Sequence, residues 1–224
     1  GTEYLTKQPP DGHTLLWTAN NPIVTGPVTT PKETHYDPNR DLTHLSLILT
    51  GVVTLAISGQ LPVNSLREFI DYARKNPGTL AYASVGVGSS QHIDGEIIKK
   101  RTGMDLVHVP YKGATVATVS LIGGEVDEVI VSVASGLPYI SSGKVRPIAV
   151  LSENRLPTLP NVPTSKEQGY PKFQMSIWYG MFAPTGTPRD VIMKLNREVI
   201  KGMEGREARE KMAAGGIDPW PGTP

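Results

Sequence analysis

Between Ser84 and His92 the chain reads S-V-G-V-G-S-S-Q-H, where two glycines and three serines separate a short apolar run from a segment with helical periodicity. Residues of these types in this order can cradle an anion such as a carboxylate. The first N–H groups of a helix have no acceptor inside it and carry partial positive charge. A loop bare of side chains at Gly86 and Gly88 therefore lets a carboxylate approach them. The hydroxyls of Ser84, Ser89 and Ser90 can donate to the same group, and His92, in the first helical turn, can face it. A second turn of this kind, V-P-Y-K-G-A-T, offers the charge of Lys112 and the backbone of Gly113. The plain alternative is a tight turn in which Ser90 only caps the helix while His92 and Lys112 are solvated.

Spacing excludes most other chemistry. Gln91 stands where a dinucleotide-binding G-x-G-x-x-G would need its third glycine, and neither G-K-[ST] nor G-x-S-x-G occurs. The histidines (His13, His35, His44, His92 and His108) show no H-x-x-x-H or H-E-x-x-H spacing, so no metal is expected and most of them read as surface or packing residues. No Ser, His and Asp set is identifiable, which leaves no catalytic constellation and no cofactor. Trp17, Trp178 and Tyr179 are the aromatic residues able to wall a ligand site, core packing being their usual role.

Alternating elements position these turns. His13–Ala19 and His44–Ser58 are apolar and β-branched, and the Pro-, Asn- and Thr-rich stretch between them reads as a long surface loop. In S-L-R-E-F-I-D-Y-A-R-K-N-P-G, Ser65 and Glu68 form a capping box, Leu66, Phe69, Ile70 and Ala73 share one face, and Asn76-Pro77-Gly78 ends the helix. Strands follow at T-L-A-Y-A-S, M-D-L-V-H-V-P-Y, V-D-E-V-I-V-S-V and K-V-R-P-I-A-V-L-S, with helices over 90–102, 114–122 and 135–142 between them. A helix capped by Thr187 with Pro188 at its first position and a polar helix to Ala214 close the pattern. Repeated strand–helix units predict an α/β fold with a mostly parallel sheet, whose ligands sit at the carboxyl ends of strands.

Composition sets the outer bounds. With 224 residues, 38% of them hydrophobic, the chain can form one large core or two small ones. A net charge of +1 supplies no field for nucleic acid or an anionic membrane. The absence of cysteine removes disulfides and thiolate sites, and no apolar run approaches the length of about 18 residues that spans a membrane.

Four phrases, S-V-G-V-G-S-S-Q-H-I-D-G-E, V-H-V-P-Y-K-G-A-T-V-A-T-V-S-L-I-G-G-E-V-D, G-K-V-R-P-I-A-V-L-S-E-N-R-L-P-T-L-P-N-V-P-T-S-K-E-Q-G and M-F-A-P-T-G-T-P-R-D-V-I-M-K-L-N, occur in this order over nearly the whole chain. Together they resemble the substrate-binding proteins of tripartite tricarboxylate transporters, the Bug or TctC family. The resemblance implies a type II periplasmic-binding-protein fold: two α/β lobes with mostly parallel sheets, joined by two crossover strands. One lobe would be 1–52 plus 182–224 and the other 53–181. It implies a periplasmic receptor, not an enzyme, that closes by a hinge on a small organic acid (a dicarboxylate, a citrate-like or an aromatic acid) in an interlobe cleft and delivers it to a membrane permease.

Carried over by position, the resemblance places Asn20 and Asn21, Thr50 on the interlobe strand, the loop from Ser84 to His92, and Lys112 and Gly113 at the ligand. Two departures stand out. Members begin with a strand and a proline- and glycine-rich loop, whereas this sequence opens at G-T-E-Y-L-T-K-Q-P-P-D-G and ends its last helical region at W-P-G-T-P. The first lobe is thus expected to be incomplete or filled by self-association. Where members carry an acid followed by Asn, this chain has Val131 and Ser132. That favours a plain or apolar carboxylate over an amino acid and leaves Ser132 and Ser135 as polar contacts. Competing readings are an enzyme acting on an organic acid, with His92 as base, and the effector-sensing domain of a transcription regulator.

Overall fold

A computed structural model describes residues 1–214, 217–219 and 223 of the chain. In chain order it forms α1 (Thr2–Leu5), β1 (Leu16–Ala19), a π-helical turn (Asn21–Thr25), α2 (Gly26–Thr29), α3 (Pro38–Asp41), β2 (Leu42–Ile57), α4 (Leu66–Lys75), β3 (Leu80–Ser84), α5 (Ser90–Thr102), β4 (Leu106–Pro110), α6 (Ala114–Gly123), β5 (Glu128–Ser132), α7 (Val133–Ser141), β6 (Arg146–Val150), β7 (Ser176–Pro184), α8 (Arg189–Glu204), α9 (Arg206–Ala214) and β8 (Ile217–Pro219). The chain divides into two compact units, Gly1–Thr50 with Ile177–Pro224, and Gly51–Ser176. Sequence reading drew these divisions at 52/53 and 181/182.

The 51–176 unit carries the alternating pattern. Its strands lie in the order β6–β2–β5–β3–β4. β2 is antiparallel to both β5 and β6, while β3 is parallel to β5 and β4, so four strands share one direction and β2 opposes them. The core between sheet and helices is made by Ala56, Ala83, Ala117, Leu121, Val129 and Val131 and their neighbours. α4 docks through Leu66, Phe69, Ile70 and Ala73, all fully buried, and each large apolar side chain so buried contributes about 1.5–3 kcal/mol. Ser65 accepts from the amide of Glu68 at 3.2 Å as a cap should, but Glu68 Oε2 takes the amide of Asn64 instead of that of Ser65. α5 approaches β3 closely at Gly95, where a Cβ would collide with the Tyr82 ring.

In the other unit, β1 pairs antiparallel with β7 from Leu16↔Phe182 to Ala19↔Tyr179, and β7 lies beside β2. Leu5, Leu42 and Phe182 form one small core, and Leu45, Ala183 and Ile192 form another beneath α8. Asn196 of α8 donates to the carbonyl of Leu45 at 3.0 Å, tying the helix to β2.

Three local expectations are corrected. The stretch read as a plain loop between β1 and β2 contains the π-helical turn and two one-turn helices, because Asp37 accepts from the amide of Asn39 and the threonines of the stretch bond carbonyls four residues back. Thr187 does not cap α8: its hydroxyl donates to the carbonyl of Pro184 at 2.7 Å, and Pro188 is the capping residue. The short helix expected from Ser135 starts at Val133, because Ser132 caps it. The ending read at Trp220–Pro224 lies, Thr223 apart, outside the described residues.

Candidate functional site

Because β4, β3 and β5 are adjacent and parallel, their carboxyl ends lie along one edge of the sheet. Each strand feeds a helix there: β3 leads to α5, β4 to α6 and β5 to α7. Three positive helix ends at one rim favour an anion, and Gly86 (φ 131°), Gly88 (φ 78°) and Gly113 (φ 139°) supply backbone conformations that L side chains resist.

The rim also satisfies much of its own polarity. Ser84, 0% exposed, accepts from the amide of Gly86 at 3.1 Å, lies 3.0 Å from the carbonyl of Gly86 and 2.7 Å from His108 Nε2. Ser89 caps α5, accepting from the amide of His92 at 3.3 Å and donating to the carbonyl of Gly86 at 2.7 Å. The amide of Gly88 donates to His92 Nδ1 at 3.1 Å. Ser90 pairs with the side chain of Gln91. Ser132 caps α7 by accepting from the amide of Ser135, and its hydroxyl donates to that of Ser135 at 2.9 Å. α6 differs, since Gly113 caps it with no side-chain hydrogen bond. Lys112 beside it is exposed.

Sequence reasoning missed His108. The parallel register sets Tyr82 opposite His108, so the His108 ring stacks on Tyr82 at 4.9 Å and on His92 at 4.0 Å. Burial, and then the neighbouring His92, hold His108 below the usual histidine range. Tyr82 donates to Glu96 at 2.8 Å, and burial followed by that carboxylate holds its phenol well above the usual value. The apolar alternation of β4 was the available signal, since it turns His108 to the same side as Leu106 and Pro110.

Asn20, Asn21 and Thr50 belong to the other unit. Asn20 is 8% exposed, donates its amide to the carbonyl of Trp178 at 3.0 Å, and accepts at its own carbonyl from Ile23 and Val24. Its side-chain Oδ1 is buried without a hydrogen-bond partner. The carbonyl of Asn21 accepts from the Thr25 hydroxyl. Thr50 lines a concavity of about 830 Å³ within that unit, together with Tyr36, His44, Ser46 and Trp178. Trp17 is 51% exposed and tilts against Tyr179 at 6.4 Å. Among the described residues no group of three or more His, Cys, Asp or Glu is placed to hold a metal, and no helix is long and apolar enough to cross a membrane.

Comparison with known proteins gives this rim a context. The family model "Tripartite tricarboxylate transporter family receptor" matches residues 1–223. The chain is 35% identical, over its whole length and 66% of the relative's, to a UPF0065 protein in the tcbD-tcbE intergenic region of Pseudomonas sp. (strain P51). It is 34% identical to protein BugT of Bordetella pertussis, again over its whole length and 69% of the relative's. The chain thus spans about two thirds of the length of these curated relatives. Among solved structures, an R. palustris protein with adipate superposes with a TM-score of 0.94 at 31% identity, covering 99% of this chain and 74% of that one. MatC from Rhodopseudomonas palustris with bound malate superposes with a TM-score of 0.89 at 30% identity, covering 96% and 73%. A match of the family model over residues 1–223, with relatives above 30% identity, establishes that the chain belongs to the tripartite tricarboxylate transporter receptor family.

Proposed function

We propose that the protein is a periplasmic solute receptor that binds a small organic acid as its carboxylate and passes it to a membrane permease. The observation that carries this reading is the rim at the carboxyl ends of β4, β3 and β5, where α5, α6 and α7 present their N-termini, the first two beside glycines with left-handed backbone. A carboxylate there meets aligned N–H dipoles, the charge of Lys112 and the uncapped first turn of α6. Ser84, Gly86, Gly88, Ser89, Ser90, His92, Lys112, Gly113, Ser132 and Ser135 compose this rim. Asn20, Asn21 and Thr50, the remaining positions carried over from the family, lie in the other unit and are proposed as ligand contacts there.

Adipate and malate in the two related structures support a dicarboxylate of four to six carbons as ligand class. An enzymatic reading would use Ser84 and His108, whose 2.7 Å separation suits a nucleophile and its base. Against it, Ser84 is fully buried and its oxygen is already engaged by the Gly86 amide. Calorimetric titration with succinate, malate, adipate, citrate and benzoate tests the receptor reading. Saturable heat from at least one dicarboxylate is expected, and none from any member of the panel would overturn it.

A further inference from the structure

We propose that His92 sets the affinity of this site by occupying, when no ligand is bound, a backbone amide that the ligand carboxylate takes over. The inference rests on the receptor reading and adds to it a competitor built into the chain.

The geometry is specific. The amide of Gly88 points at His92 Nδ1 from 3.1 Å, and an N–H donor there requires a lone pair on that nitrogen. The ring proton of a neutral His92 therefore sits on Nε2. The ring is held in this pose from several sides. The backbone amide of His92 is fixed by Ser89 Oγ, and one ring face lies on His108 at 4.0 Å with Tyr82 stacked beyond it. Gly88 has φ 78°, so the amide's direction is set by a backbone conformation that glycine alone adopts freely.

An imidazole nitrogen is a neutral acceptor, whereas a carboxylate makes charge-assisted bonds about twice as strong. An ionised acid can take the Gly88 amide from His92, while a neutral carbonyl gains nothing by the exchange. The amide stays paired in both states, which avoids the cost of a stranded buried donor. The consequence is an affinity lowered by the worth of one internal hydrogen bond, a useful setting for a receptor that must also release its cargo.

Two substitutions separate this role from a direct contact. His92→Phe keeps a ring for the His108 stack but removes the acceptor. His92→Asn keeps an acceptor at the same distance from the backbone as Nδ1. Calorimetry with adipate and malate should show binding tightened about 2- to 10-fold in His92→Phe, the value of one net hydrogen bond, and near wild type in His92→Asn. In ¹⁵N spectra of the imidazole, His92 Nδ1 should carry a lone pair bonded to an N–H in the free protein and shift on saturation with adipate. Weaker or unchanged binding by His92→Phe, or an Nδ1 signal that adipate does not move, overturns the inference and leaves the receptor reading standing. No binding of either acid by any of the three proteins overturns both.

Discussion

The two ends of the same parallel strands solve opposite problems. At the carboxyl ends, Ser84, Gly86, Gly88, Ser89 and His92 exchange hydrogen bonds among themselves, and Ser132 and Ser135 do the same one strand over. At the starting end, Asp127 accepts from the amide of Ala81, but its neighbour Glu128 is 2% exposed with Oε1 buried and unpartnered. Burial pushes the Glu128 carboxyl up to about 8. The polar groups named at the rim are paired within their own loops, whereas the unpartnered carboxyl at the far end is a plain cost.

The largest expected effect falls at the far end. Glu128 takes up its proton more readily in the folded chain than in the unfolded one, so its contribution to stability is complete below pH ~4.5 and is lost as pH rises to about 8. Glu128→Gln removes that loss. Its unfolding free energy from urea denaturation should match wild type near pH 4 and exceed it increasingly up to pH 8, by on the order of a few kcal/mol. A constant gap across pH would contradict the burial of an unpaired acid. Next in size is Gly95→Ala, whose new methyl meets the Tyr82 ring. Overpacking of this kind costs about 1–3 kcal/mol, read by urea denaturation, and should also displace the His92 and His108 stack.

Ser89→Ala removes the α5 cap and should cost about 1 kcal/mol. It should disturb the rim without touching Glu128, so its cost should be the same at pH 5 and pH 8. The smallest effect on stability belongs to Lys112→Ala, an exposed side chain whose loss should change stability by less than about 0.5 kcal/mol. Its effect on adipate affinity should be larger in low salt than in high salt, because solvent-exposed charges are screened. A change of equal size at both ionic strengths would separate Lys112 from the bound anion.

The rim was legible in the sequence because it depends on neighbours along the chain. The strand ending at Ser84, the glycines, and the helix beginning at Ser90 lie within one short stretch, and the capping box at Ser65 follows the same local logic. What the loop does with its hydroxyls was not legible. Serine in such a turn can donate outward or bond its own backbone, and only three-dimensional geometry separates Ser84 engaged with Gly86 and His108 from Ser84 open to a ligand. His108 was missed for a longer-range reason. It meets Ser84 and His92 through the parallel register of β3 and β4, which local spacing does not encode. Glu128 likewise reads as an ordinary polar residue at a strand start, and becomes a buried acid only because β2 and β3 flank it. Thr187 carries the sequence signature of a cap but spends its hydroxyl on Pro184, a competition between local acceptors that composition does not rank.

The most direct test of the account follows backbone amides during titration with adipate in ¹H–¹⁵N correlation spectra. The amides of Gly86, Gly88, Gly113 and Ala114 should shift together along one saturation curve, while those of Asp127 and Glu128 at the far end stay in place. A binding isotherm that leaves the four rim amides unmoved would contradict it.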